Sequence, residues 1–159
     1  MASAFTAGTG DYVTIFEPTA TAMEMEGKGY ILASVGEESG EVPFTAYFAA
    51  KSLIAEDPEL IQSFTNAVYR GQRWVEEHSA EEVAQELLPY FADTEVLTRV
   101  VQNYKDIDAW AHTPVMSAPG FEKLQDIMQE AGQLEENERV AYDDLITTEF
   151  ADAAVAAGQ

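Results

Sequence analysis

The uncharged run Tyr12-Val13-Thr14-Ile15-Phe16 constrains the possible folds of this chain more than any other stretch. Aromatic and β-branched residues without charge predict a strand buried on both faces, as in a parallel sheet. Glu17-Pro18 closes the run, because proline cannot donate a backbone hydrogen bond and restricts the residue before it. Thr19 and Thr21 are placed to cap a helix over about 19–26, and Gly27-Lys28-Gly29 ends it. Tyr30 to Val35 predicts a second buried strand, completing a βαβ unit with a right-handed crossover. The expected fold class is therefore α/β. Ligands of such sheets sit beyond the carboxyl ends of the strands, close to helix N-termini. Glu17 and Thr19 occupy such a position. Glu17 also suits a local role, capping the helix or accepting from nearby backbone donors.

The remainder of the chain reads as mostly helical. Gly36 to Pro43 is a polar loop rich in turn formers, and Phe44 to Ala50 predicts another strand. Asp57-Pro58 combines a cap residue with proline at the first helical position. Leu60, Ile61, Phe64, Ala67, Val68, Gly71, Trp74 and Val75 then recur at helical spacing. Ser79-Ala80-Glu81-Glu82 is a capping box and opens a helix with Val83, Leu87 and Leu88 on its apolar face. Asp93 or Thr94 caps a third helix with Val96, Leu97, Val100, Val101 and Tyr104 inward. After an irregular stretch from Asp106, a helix over about 119–131 buries Phe121, Leu124, Ile127 and Met128 and ends at Gly132. A final helix covers about 148–156.

Charge narrows the function. Twenty-nine acidic against 8 basic residues give a net charge of −21. Nucleic-acid binding needs a basic patch and anionic membrane surfaces attract cations, so neither is an expected partner. The chain has no cysteine, which removes thiol and Cys-metal chemistry. No apolar run reaches the length of a membrane span, and Met1 to Gly10 lacks the basic start and apolar centre of a signal peptide. His78 sits at a helix end, where the helix dipole accounts for it. His112 lies in the irregular Trp110–Pro114 stretch, and one histidine makes neither a metal site nor a triad. The glycine-rich loop bearing Glu37, Glu38 and Glu41 lacks the alternating oxygen ligands of a calcium loop. No cofactor, metal site or catalytic residue is expected.

Several pieces in order carry a family resemblance: Ala7-Gly8, Gly10-Asp11, the apolar run and Glu17-Pro18; Glu26 to Gly36; Val42-Pro43-Phe44-Thr45-Ala46-Tyr47; and Asp57-Pro58-Glu59-Leu60-Ile61. Tyr104 to Trp110 and Phe121 to Leu134 are similar to the same family's closing helices. The chain resembles the substrate-binding proteins of ABC importers that handle sulfonates, nitrate, taurine and thiamine-precursor pyrimidines. The resemblance implies the later half of a type 2 periplasmic-binding-protein fold. In that frame, 1–43 finishes the second lobe and 44–159 returns to the first through a hinge strand. It further implies a small solute held between lobes, an ABC permease as partner, a monomeric full-length protein outside the cytoplasm (periplasmic or lipid-anchored), and no reaction. By position in the matching motifs, Glu17, Thr19, Glu38, Ser39 and Thr45 are the candidate ligand contacts. The missing signal sequence and first half would make this chain a C-terminal fragment. Two other functions fit the same architecture: a thiamine-pyrimidine synthase, whose cysteine-rich motif has no counterpart here, and the ligand-sensing domain of a receptor.

Overall fold

A computed structural model of the chain describes residues 1–91 and 93–158. In chain order the helices are α1 (Ala2–Thr6), α2 (Thr19–Met25), α3 (Val35–Ser39), α4 (Lys51–Glu56), α5 (Pro58–Glu77), α6 (Ala80–Leu87), α7 (Thr94–Asp106), α8 (Ala118–Glu130), α9 (Tyr142–Leu145) and α10 (Glu149–Ala157). A single 3-10 turn spans Glu136–Glu138. No described helix is long and apolar enough to cross a membrane.

The α/β expectation is not met: no strand is present among the described residues. The runs 12–16, 30–34 and 44–50 are irregular, Val35 opens a helix rather than closing a strand, and no βαβ unit forms. Tyr12 is 80% exposed, Tyr30 88% and Phe48 98%, so these side chains are not the core that their composition predicts. The reason is that strand propensity measures fit to a pleated, half-covered surface, not an intrinsic backbone preference. A β-prone run becomes a strand only beside a partner that completes its ladder.

The helix boundaries follow local chemistry closely. Asp57 Oδ1 accepts from the Leu60 amide at 3.0 Å, capping α5 as expected. Ser79 and Glu82 form the reciprocal capping box of α6: the Glu82 amide donates to Ser79 Oγ and the Ser79 amide to Glu82 Oε2. Asp93 Oδ1 caps α7 by accepting from the amides of Glu95 and Val96. Ser117 caps α8, one residue before the expected start, by accepting from the Gly120 amide. Helix α2 ends as Gly27 turns to φ +67°, a left-handed position that glycine adopts without steric cost.

The chain divides into two compact units. The first comprises Met1–Glu38 and Glu77–Trp110; the second comprises Ser39–Glu76 and Ala111–Gln159. The lobe boundary read from the sequence stands at 43/44, and the segment assigned to the first lobe runs from 44 to Gln159, which lies outside the described residues. In the first unit, α6 and α7 pack as a pair and bury Ala80, Val83, Ala84, Leu97, Val100 and Val101, with α2 lying against α7. In the second unit, α8 and α9 pack together and the Phe121 and Tyr142 rings meet edge to face at 5.7 Å. Gln125 is buried there; it donates to the Val140 carbonyl and accepts from the Val140 amide at 2.8 Å. That reciprocal pair holds the segment after the 3-10 turn against α8.

Candidate functional site

Helix α2 is short, and the polar groups at its start are satisfied by a residue outside it. Its N-cap position is Pro18, which offers no side-chain cap, and the Glu17–Pro18 peptide is cis. Glu17 supplies the acceptors instead. Its Oε2 accepts from the Thr21 amide at 2.9 Å and its Oε1 from the Thr21 hydroxyl at 2.8 Å. Thr21 is therefore not the cap that sequence reading assigns; it is the group that Glu17 holds.

Thr21 is fully buried, at 0% exposure, where α2 meets α7. Its hydroxyl donates to Glu17 and accepts from Asn103 Nδ2 at 3.3 Å. A buried hydroxyl without partners costs about 1–3 kcal/mol, and this one is satisfied on both sides. Tyr104 follows Asn103 on α7. Burial first, and then the nearby Glu17 carboxylate, raise the Tyr104 phenol above its ordinary pKa. Its ring meets Trp110 edge to face at 5.6 Å. The Trp110 indole nitrogen is buried with no hydrogen-bond partner among the described residues. A second clamp lies further along α2. Glu24 Oε2 accepts from Arg99 on α7 at 2.7 Å, and its Oε1 accepts from the Ile31 amide at 3.1 Å.

Thr19 is exposed and lines an open depression of about 520 Å³ with Ala2, Ser3, Thr6, Ala7, Met23 and Lys28. Glu38 is exposed on α3. Ser39 and Thr45 belong to the other unit. Ser39 is half-buried; its hydroxyl donates to the Gly40 carbonyl and its own carbonyl accepts from Lys123. Thr45 is exposed in the irregular run before α4. Within the first unit, Glu17 and Thr19 flank Pro18 at the start of α2.

Sequence reading missed Asn103 and the buried role of Thr21. A signal for Asn103 was present: it lies three residues after Val100, on the stripe that points inward from α7. A polar residue on an apolar stripe needs a buried partner. His112 lies in the second unit with Nδ1 3.3 Å from Glu76 Oε1, both side chains largely exposed.

Chemically, the Glu17 carboxylate is the notable group. Two of its four acceptor positions are taken by Thr21. The others suit N–H donors or a positive charge. Among the described residues, no group of three or more acidic or histidine side chains is arranged to hold a metal ion.

The chain is 38% identical over 154 residues to a Bacillus subtilis (strain 168) protein named "Putative binding protein YtlA". The match takes in 96% of this chain and 46% of the relative, so the chain spans about half the length of the curated relative it matches. That similarity points to a binding-protein family and to a binding role in general. No family model and no solved structure matches the chain.

Proposed function

We propose that this chain serves in the solute-binding component of an ABC importer, which captures a small solute outside the cytoplasm and delivers it to a membrane permease. The observation that carries this reading is the 38% identity to a protein named for binding, sustained over nearly the whole chain. The sequence motifs that resemble importer binding proteins of the sulfonate, nitrate, taurine and thiamine-precursor group supply the finer assignment. The binding protein acts as a monomer and catalyses no reaction. Glu17, Thr19, Glu38, Ser39 and Thr45 are the proposed solute contacts.

The solute class follows from charge. Lys28 and Lys51 are the only basic residues before Arg70, and Lys28 pairs with Glu26. An anion would need charge-assisted donors, and here it would meet Glu17 within a chain of net charge −21. A carboxylate with acceptor positions to spare instead suits a neutral or cationic nitrogen compound such as an aminopyrimidine. Calorimetric titration of the native protein with taurine, nitrate and 4-aminopyrimidine tests this. Binding of the aminopyrimidine, weakened by Glu17→Gln, is the expected result. Tight binding of either anion, indifferent to Glu17→Gln, would remove both the solute class and the role of Glu17.

A further inference from the structure

We infer that Asn103 is a positioning residue for solute recognition, acting through Thr21 to fix the carboxylate of Glu17. This rests on the proposed contact between Glu17 and a nitrogen-bearing solute, and it extends that contact to a residue on a different helix.

A glutamate side chain has three rotatable bonds, and an unrestrained carboxylate would lose that freedom on binding a ligand. Ordering such a side chain on binding costs affinity. Here the ordering is already present. Thr21 is completely buried on α2, where that helix meets α7. Its amide and hydroxyl each hold one carboxylate oxygen of Glu17, at 2.9 and 2.8 Å. An ionised carboxylate only accepts and an amide NH2 only donates, so the hydroxyl gives its proton to Glu17 and takes one from Asn103 Nδ2 at 3.3 Å. Donation therefore runs one way, from Asn103 on α7 to Thr21 and from Thr21 to Glu17, and the amide of Asn103 holds the hydroxyl in that orientation. The carboxylate keeps two unused acceptor positions in a fixed orientation, on a half-buried residue. Tyr104 adjoins Asn103 in sequence, and its neutral phenol lies within the electrostatic reach of Glu17.

The chain of donation separates positioning from mere stability. Asn103→Leu removes the amide donor while keeping the branched shape, at some added volume. Thr21→Val removes the hydroxyl, and Thr21→Ser keeps it. All three are compared with Glu17→Gln in the native protein by calorimetric titration with 4-aminopyrimidine, with thermal melts as a control for folding. Loss of one preorganising hydrogen bond is expected to weaken binding about tenfold in Asn103→Leu and in Thr21→Val, with Thr21→Ser close to the parent. In the double variant Glu17→Gln/Asn103→Leu, binding should be no weaker than in Glu17→Gln alone, because both changes act on one interaction. Additive losses in the double variant would overturn the relay, as would unchanged affinity in Asn103→Leu. If Asn103→Leu fails to fold, the Thr21→Val and Thr21→Ser pair decides the matter: equal affinities reject the relay. If the parent protein does not take up the aminopyrimidine, the proposed solute contact itself fails, and the inference falls with it. That outcome is distinct from a parent that binds while Asn103→Leu is silent.

Discussion

Helices α5 and α7 begin alike and end in different environments. Each is opened by an aspartate that accepts from backbone amides, Asp57 for α5 and Asp93 for α7. Each has an apolar stripe at helical spacing. Yet α7 buries Leu97, Val100 and Val101, whereas none of the 20 residues of α5 is buried. Leu60 and Phe64, one turn apart on α5, are both exposed, and Phe64 meets Tyr47 edge to face at 4.8 Å. The difference is that α7 has α6 packed along it, joined by a short connection, while α5 is held in its unit by hydrogen bonds. Gln62 donates to the Phe150 carbonyl at 2.9 Å and Arg73 to the Gly158 carbonyl at 3.0 Å. An amphipathic stripe creates the demand for a covering surface, and only the neighbouring elements meet it.

The contrast is broken most directly by truncating one leucine on each helix. Leu97→Ala removes a buried side chain between α6 and α7 and should lower stability by about 3 kcal/mol, read from the urea midpoint. A cost below about 1 kcal/mol would mean that the α6–α7 core repacks freely. The caps sharpen the comparison by isolating what is local. Asp93→Ala and Asp57→Ala should each cost about 1 kcal/mol by the same measurement, since a cap acts on its own first turn whether or not the helix is covered. A large inequality between the two would show that burial feeds back on capping. Leu60→Ala on the open face of α5 should change stability by less than about 0.5 kcal/mol. A cost similar to that of Leu97→Ala would show that the stripe of α5 is covered in solution.

The smallest effect is expected in acid. Hydrogen bonds from the Ser79 backbone and side chain, and then the charge of His78, hold the Glu82 carboxyl below its ordinary pKa. A carboxyl lowered in the folded state adds stability above its unfolded pKa of about 4.3 and loses it as pH falls through the folded value. The start of α6 should therefore lose amide-exchange protection as the pH drops below about 4, and Glu82→Gln should remove that pH step. A step that persists in Glu82→Gln would assign it to another carboxylate.

Capping boxes, Asp-Pro starts and glycine stops were legible because each is completed within a few residues. The Ser79–Glu82 box and the caps at Asp57 and Asp93 stand where the sequence put them. The strands were misread because the same local logic was applied to a non-local object. Tyr12–Phe16 states a preference for a pleated surface, but nothing within the run names the strand that would complete its ladder. The candidate site shows the same division. Glu17 was picked out by its place after an apolar run and before a helix. Its hold on Thr21 spans four residues and could be anticipated, whereas Asn103 lies 82 residues beyond Thr21.

By itself, the sequence determined the capped starts of α5, α6 and α7 and that the chain is strongly acidic, because these depend on contacts within one turn or on composition alone. The tertiary structure decided which apolar faces are covered, that the β-prone runs form no strand, and that Asn103 of α7 meets Thr21 of α2. Those outcomes depend on partners distant in sequence. Burial and buried hydrogen bonds are properties of such pairs, and neither member carries them alone.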